Sequence, residues 1–141
     1  MSGAIFADQS ISSRKVDLTV SQAEITTASQ TTTSTSFTDL ATVGPSITLS
    51  PGITQDHLLT LSARNNGTTN NYVATGVSIA GATTNSENTN TGNAAGTGLD
   101  TIRTRQVLAT AQTTGATHTL KYSTSAGTGI FNSRRLIGVC I

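Results

Sequence analysis

The sequence predicts an all-β protein, an antiparallel β-sandwich or jelly roll of about eight short strands. Thr and Ser occupy 29 and 16 of the 141 positions, and β-branched Thr, Val and Ile favour extended chain. Ala, Leu, Glu and Lys never accumulate at helical spacing, so no amphipathic helix is indicated. Short alternating segments recur between clusters of Gly, Asn, Ser and Thr, which is typical of two packed antiparallel sheets.

Four alternating segments lie in the first part of the chain. Residues 16–20 and 46–50 alternate apolar and polar side chains, as a strand with one buried face does. Gly-Pro and Pro-Gly dipeptides bracket the second of them and predict turns. Residues 59–61 continue the pattern, and we expect that strand to stop at a tight turn in residues 65–67, Asn-Asn-Gly. Residues 73–79 predict the next strand.

Two polar segments interrupt this pattern. Residues 26–36 are a low-complexity run of Thr, Ser, Ala and Gln, which we interpret as a linker that merges into an edge strand at Phe37. Residues 81–98 contain no large apolar side chain and predict a long exposed loop. Loops of that length in a compact domain are either functional or mobile.

Three further strands are predicted after that loop, over residues 101–109, 118–122 and 130–141. Gly115 and the Gly-rich residues 125–129 supply the turns between them. With these segments the chain has enough strands for two stacked sheets and no intervening helix.

The length fits one domain. We expect a single β-sandwich over residues 16–141, with residues 1–15 as a possible N-terminal arm. Ile5 and Phe6 either belong to an arm that crosses to a neighbouring molecule or begin the first strand. No membrane-spanning run and no secretory leader pattern is visible. Because the apolar content is low, we expect the domain to gain stability from an oligomer or an assembled lattice.

The residues that carry chemistry are few. His57 and His118 have no acidic residue at ligand-like spacing, so structural or surface roles are expected for both rather than a metal site. Cys140 lies in an apolar run and predicts a buried, unreactive thiol, and a single cysteine forms no intrachain disulfide. No Gly-x-Ser-x-Gly elbow and no phosphate-binding glycine loop occurs. We therefore expect no enzyme activity and no cofactor.

Charge is distributed unevenly along the chain. Residues 1–100 carry three basic and seven acidic side chains, whereas residues 101–141 carry five basic ones and no acid. Pairing with acidic strands of the same fold, or with an acidic partner surface, is the favoured interpretation. Without interleaved aromatic residues, a nucleic-acid site is disfavoured. A solvated face is the alternative for the arginines among them. These five residues are Arg103, Arg105, Lys121, Arg134 and Arg135.

Two parts of the sequence resemble a known family. Residues 33–40 (TSTSFTDL) followed by 44–49 (GPSITL) resemble the opening of small jelly-roll or β-sandwich virion proteins of tailed bacteriophages. Residues 115–122 (GATHTLKY) and 127–137 (GTGIFNSRRLI) resemble their closing hairpin, in which a Gly-x-His-Thr strand pairs with an Asn-x-Arg-Arg-Leu strand. Together these motifs cover roughly half of the chain.

The resemblance implies a capsid cement or decoration protein. Such a protein forms a homodimer or homotrimer, binds the outer surface of the major capsid protein shell and stabilises the mature head by bridging capsomers. Neither a membrane nor direct contact with nucleic acid is implied. The alternative is a receptor-binding domain of a tail fibre or tail tip. A carbohydrate-binding sandwich is a third and weaker reading, because Trp is absent and Tyr is scarce.

The candidate interface residues combine the possible arm with the cationic end of the chain. Arg103 and Arg105 alternate with Thr and therefore share one face of a strand. Arg134 and Arg135 follow a predicted turn, where their side chains would meet acidic groups of the capsid. The full set is Ile5, Phe6, Arg103, Arg105, Arg134 and Arg135.

Overall fold

The computed structural model describes residues 19–26, 29–67, 72–80 and 101–141. In these ranges the chain forms eight strands and no helix, which confirms the all-β prediction. The strands are β1 (Val20–Ile25), β2 (Gln30–Thr32), β3 (Ser46–Leu49), β4 (Gln55–Gly67), β5 (Val73–Ile79), β6 (Thr101–Gln112), β7 (Ala116–Thr124) and β8 (Gly129–Cys140).

Two antiparallel sheets form the sandwich. The five-stranded sheet has the order β1-β8-β4-β6, and β2 pairs with β8 beside β1. The three-stranded sheet has the order β3-β7-β5. Alternate residues of each strand point between the sheets, and six of the most buried apolar side chains come from both. These are Leu49, Leu59, Leu61, Leu120, Phe131 and Leu136, each at most 1% exposed.

Gly138 in β8 allows the two sheets to approach closely. A Cβ atom at this position would lie 2.6 Å from Ile47 Cδ1 and 2.8 Å from Leu49 Cδ1, both in the three-stranded sheet. The missing side chain leaves room for these two core residues. Gly138 occupies an inward-facing position of β8, so the alternation of the strand places the glycine where the two sheets come into contact.

The predicted turn at residues 65–67 is wrong. β4 continues through Gly67, with Asn65 paired to Thr101 of β6 and to Phe131 of β8. The Asn65 side chain is fully buried. Because backbone pairing on both sides satisfies the donors and acceptors of this segment, it outweighs the local turn preference of Asn-Gly.

The predicted closing hairpin is also wrong. β7 pairs with β3 and β5, whereas β8 pairs with β1, β2 and β4. Residues 125–128 between them, with Gly127 at φ 60°, therefore carry the chain from one sheet to the other. A short connection is compatible with either arrangement, and the facing apolar sides of the two strands favour stacking over pairing.

The first part of the chain differs from the prediction in detail. β1 begins at Val20, and residues 16–18 lie outside the described residues, as do the possible arm and the 81–98 loop. Gln30–Thr32 form β2 inside the predicted linker, and Phe37 lies outside any strand, next to the bridge between Thr38 and Tyr122. The other six predicted strands are confirmed, three of them with longer bounds. No described segment is a helix that could cross a membrane.

Candidate interaction surface

An apolar row crosses the outer face of the five-stranded sheet. Val20 of β1 pairs with Val139 of β8, Val139 pairs with Leu58 of β4, and Leu58 pairs with Leu108 of β6. These four residues, which we call the apolar row, alternate with core residues along each strand and therefore point away from the interior. Val20 is 55% and Leu108 50% exposed, and the two central side chains are half-buried. Contiguous exposed apolar surface of this kind marks interaction sites.

The surroundings of the apolar row differ at its two sides. Ile141, 59% exposed, follows Val139 on the same face, and Ile137, half-buried, precedes it. Further along β8 the face becomes polar, since Arg135 is exposed and donates from Nη2 to Gln22 Oε1 at 2.8 Å. One apolar zone and one hydrogen-bonding zone thus share this face.

The strand β6 forms an edge of the same sheet. Its described pairing is with β4 alone, so its other side carries backbone groups available to another strand. Arg105 pairs with the inward-facing Leu61 but is itself exposed, which shows that the three-stranded sheet does not cover this part of β6. The register places Arg103 opposite Ala63.

The outer face of the three-stranded sheet has a different composition. Ser46 and Thr119 hydroxyls lie 2.8 Å apart, and Thr48 and Thr117 hydroxyls also lie 2.8 Å apart, across β3 and β7. Next to these pairs, Lys121 Nζ donates to both carboxylate oxygens of Asp39 at 2.7 Å. The side chains of this face satisfy one another across the strands.

Arg134 does not belong to either outer face. Its side chain is fully buried, with the guanidinium carbon 5.5 Å from the centre of the Tyr122 ring and Nη1 donating to Gln30 Oε1 at 3.3 Å. The prediction that Arg134 meets acidic capsid groups is therefore wrong for this conformation. The cation contributes instead to the interior, through a cation–π contact between the two sheets.

A bulge in β8 explains the inward direction of Arg134. Ser62 pairs with Arg135 and Arg64 pairs with Asn132, so two residues of β8 stand opposite Ala63 alone. Ser133 has a φ of 41° at this point. The extra residue shifts the alternation, and Arg134 and Phe131 both point inward.

His57 and His118 meet between the sheets. Nδ1 of His57 in β4 lies 2.9 Å from Nε2 of His118 in β7, so one nitrogen donates to the other. The rings are perpendicular with centres 5.2 Å apart, and both residues are fully buried. The outer nitrogens, His57 Nε2 and His118 Nδ1, have no hydrogen-bond partner among the described residues. The predicted structural role is thus a direct contact between the layers.

Burial alters the titration of this histidine pair. Desolvation, with the neighbouring His57 as a second cause, lowers the pKa of His118 to about 4. Desolvation also lowers the pKa of His57, against the opposing charge of Asp56. Both imidazoles are therefore neutral at pH 7. The described residues contain no group of three or more His, Cys, Asp and Glu side chains arranged for a metal ion.

The predicted interface residues do not form one patch. Arg105 and Arg135 are exposed but point to opposite sides of the five-stranded sheet, and Arg134 is buried between the layers. Ile5 and Phe6 lie outside the described residues. The sequence analysis missed the four residues of the apolar row. Their signal in the sequence is an apolar side chain at a strand position where alternation predicts a polar one.

Comparisons with known proteins support the fold. No protein-family model matches this sequence, and no curated protein matches it. Among solved structures, the chain is similar to VP2 of infectious bursal disease virus in a crystal structure of a subviral particle, with a TM-score of 0.51 and 10% identity. The match covers 86% of this chain and 32% of the VP2 chain. The chain therefore shares a β fold with that viral protein and spans about a third of its length.

Proposed function

We propose that this chain is a non-enzymatic capsid cement or decoration protein of a tailed bacteriophage. It binds the outer surface of the major capsid protein shell and stabilises the mature head by bridging capsomers. The observation that carries the proposal is the likeness in fold, over 86% of the chain, to a protein of a viral subviral particle. The resemblance of residues 33–40 and 44–49 to small virion proteins of tailed phages supports the assignment to that group, whereas the closing hairpin that the resemblance implies is not formed.

The outer face of the five-stranded sheet is the surface that fits the shell. When another protein covers the apolar row, its exposed apolar area is removed from water. Each Å² removed stabilises the complex by about 25 cal/mol. Arg135, beside it on the same face, carries the charge that an acidic zone of a capsid protein would complement. Weak contacts of this size are sufficient on a lattice, because many copies bind at once.

The edge strand β6 supports self-association. A twelve-residue edge that has no partner on one side among the described strands is a template for a strand of a second copy. In a homodimer or homotrimer, several apolar rows would face the shell together. An oligomer bound in this way would hold more than one capsid subunit and so bridge capsomers.

The interior supports a structural role over catalysis. His57 and His118 are the two side chains whose ordinary pKa lies nearest to neutral pH, and both are fully buried. A substrate cannot reach them without separating the sheets. The unequal outer faces are therefore the parts of the described chain that are best placed to meet other molecules.

The proposal is tested with virions made with and without this protein. We expect particles that lack it to lose DNA at a lower temperature, and to do so more readily after osmotic shock or chelation. Purified protein added back restores the resistance, and an electron-dense label on the protein decorates the whole head. Equal resistance of both particles, or a label confined to the tail, would contradict the proposal and favour the receptor-binding alternative.

A further inference from the structure

A second recognition feature lies on the outer face of the three-stranded sheet. An open groove of about 250 Å³ is lined by two aromatic side chains, Phe37 and Tyr72. The cross-strand partners Ala74 and Ser123 lie at its base, and Thr35, Thr124 and Ser125 complete the lining. We call these seven residues the aromatic groove. It lies on the opposite side of the sandwich from the apolar row.

The Phe37 ring and the backbone of Tyr72 are held in place before any ligand arrives. Phe37 lies on Gly76, where a Cβ atom would be only 2.8 Å from ring atom Cε1, so a larger residue at position 76 would displace the ring. The Tyr72 amide donates to Ser125 Oγ at 2.8 Å, and the Ser125 amide donates to the Tyr72 carbonyl, also at 2.8 Å. Such preorganisation lowers the entropic cost of binding.

The chemistry of the lining limits the ligand. Among the described residues no charged side chain lines the groove, so an anionic or cationic ligand finds no counter-ion in this part of the chain. The Tyr72 side chain is 54% exposed and presents an aromatic surface to solvent. Four of the seven lining residues carry an aliphatic hydroxyl, which both donates and accepts hydrogen bonds. Apolar stacking surface combined with neutral hydroxyls suits a molecule that has both a C–H face and its own hydroxyl groups.

We propose that the aromatic groove binds one pyranose ring of a neutral glycan. Its volume is below the range of about 300–1,000 Å³ that is usual for drug-sized ligands, and it fits a single ring-sized group of a longer chain. The aromatic rings stack against the C–H face of the sugar, and the exposed Thr35 and Ser125 hydroxyls exchange hydrogen bonds with the sugar hydroxyls. A protein bound to a particle through the apolar row would present this groove outward, although glycan binding itself does not depend on the capsid proposal.

The test is saturation-transfer difference NMR on the full chain with a panel of neutral and sialylated oligosaccharides. We expect transfer to at least one neutral sugar and, in the sialylated oligosaccharides, transfer to the neutral rings and none to the sialic acid. Tyr72→Ala weakens binding about tenfold, as loss of an aromatic contact predicts, whereas Tyr72→Phe keeps it because stacking is retained. Ala74→Leu fills the groove and abolishes binding. Leu108→Ser, on the other outer face, leaves it unchanged.

Each remaining outcome counts against the proposal. Absence of transfer to every neutral sugar overturns it, as does transfer that survives both Tyr72→Ala and Ala74→Leu in folded protein. Binding of an extended peptide in place of a sugar also overturns it and would identify the groove as a protein contact. The capsid proposal is judged separately, because head labelling and particle resistance require no sugar.

Discussion

The two outer faces of the sandwich meet solvent in different ways. On the three-stranded sheet, Ser46, Thr48 and Lys121 each have a partner on a neighbouring segment at 2.7–2.8 Å. On the five-stranded sheet, the apolar row crosses four strands, and its end members, Val20 and Leu108, are about half exposed. The first face is largely satisfied within the chain, whereas the second leaves apolar surface that no other described part of the chain covers. The comparison teaches that the position of the candidate binding surface depends on the strand register more than on the arginines.

The largest expected effect comes from charging the apolar row. Val20→Asp combined with Leu108→Asp should weaken binding to particles that lack the protein by about a hundredfold or more, because two apolar contacts worth about 1.5–3 kcal/mol each become buried charges. Co-sedimentation with such particles measures the loss. Denaturant unfolding should change by less than about 0.5 kcal/mol, since both sites are exposed in the free chain.

The matched control for this variant is Ser46→Asp combined with Thr48→Asp on the three-stranded sheet. This double variant adds the same charge to exposed positions and should bind particles like the unaltered chain. If it loses binding equally, net charge and not the apolar row determines attachment. Undiminished binding of the Val20 and Leu108 variant would remove the apolar row from the interface.

Acid should weaken the contact between His57 and His118 that joins the two sheets. Above about pH 7.5 the histidines are largely neutral in both the folded and the unfolded chain. As the pH falls from about 6.5 to 4, the unfolded chain takes up protons that the folded pair refuses, because the pKa of His118 is about 4. The free energy of unfolding therefore falls, by on the order of 2 kcal/mol. Denaturant titrations at several pH values measure this loss.

His118→Gln provides the comparison for the acid effect. Glutamine retains a hydrogen-bonding group beside His57 but does not titrate, so this variant should show a shallower loss of stability between pH 6.5 and 4. An identical slope in both proteins would mean that other groups cause the acid sensitivity. The packing of the two sheets would then not depend on the protonation of the histidines.

Arg134→Met should have a smaller effect, in the opposite direction. Arg134 Nε and Nη2 are buried and have no hydrogen-bond partner among the described residues, so part of the cost of burying the cation is uncompensated. An apolar side chain of similar length removes that cost, and we expect the free energy of unfolding to rise by about 1 kcal/mol. Binding to particles should be unchanged. A loss of stability or of binding would show that the cation is needed where it lies.

The smallest expected effect is the difference in stability between variants that remove a polar side chain from one outer face or the other. Lys121→Met removes the ion pair with Asp39, whose side chains are 17% and 38% exposed, and should cost about 0.5–1 kcal/mol, with less loss at high salt. Arg135→Met, on the other face, should cost less because Arg135 is exposed and bonded to a neutral glutamine. Equal losses would contradict the view that only the three-stranded face is stabilised by its own side chains.

Local patterns were sufficient for most of the strands. The segment around Ile47 and Leu49 alternates between turn dipeptides, and both its strand and its buried side chains are where the pattern places them. The single thiol of Cys140 is buried, as its apolar surroundings predict. These features depend on neighbours within a few positions, which a single sequence contains.

Features that depend on long-range register could not be predicted. Leu58 and Leu108 are fifty positions apart, and only the pairing of β4 with β6 makes them neighbours. Counted from the inward-facing Phe131, a simple alternation would point Arg134 outward. The extra residue that the bulge at Ser133 adds to β8 turns it inward. The short sequence 125–128 also carries no signal that decides between a hairpin and a passage to the other sheet. In each case the deciding contacts come from strands distant in the chain.

The passage from β7 to β8 has a mechanical consequence. Ser123 of the aromatic groove belongs to β7, and Val139 of the apolar row belongs to β8. A pull applied at the groove while the row is anchored therefore travels through four residues of covalent backbone, 125–128, before it reaches β8. β8 itself is held by three strands, β1, β2 and β4, so tension would be spread over many hydrogen bonds in shear instead of opening them one at a time.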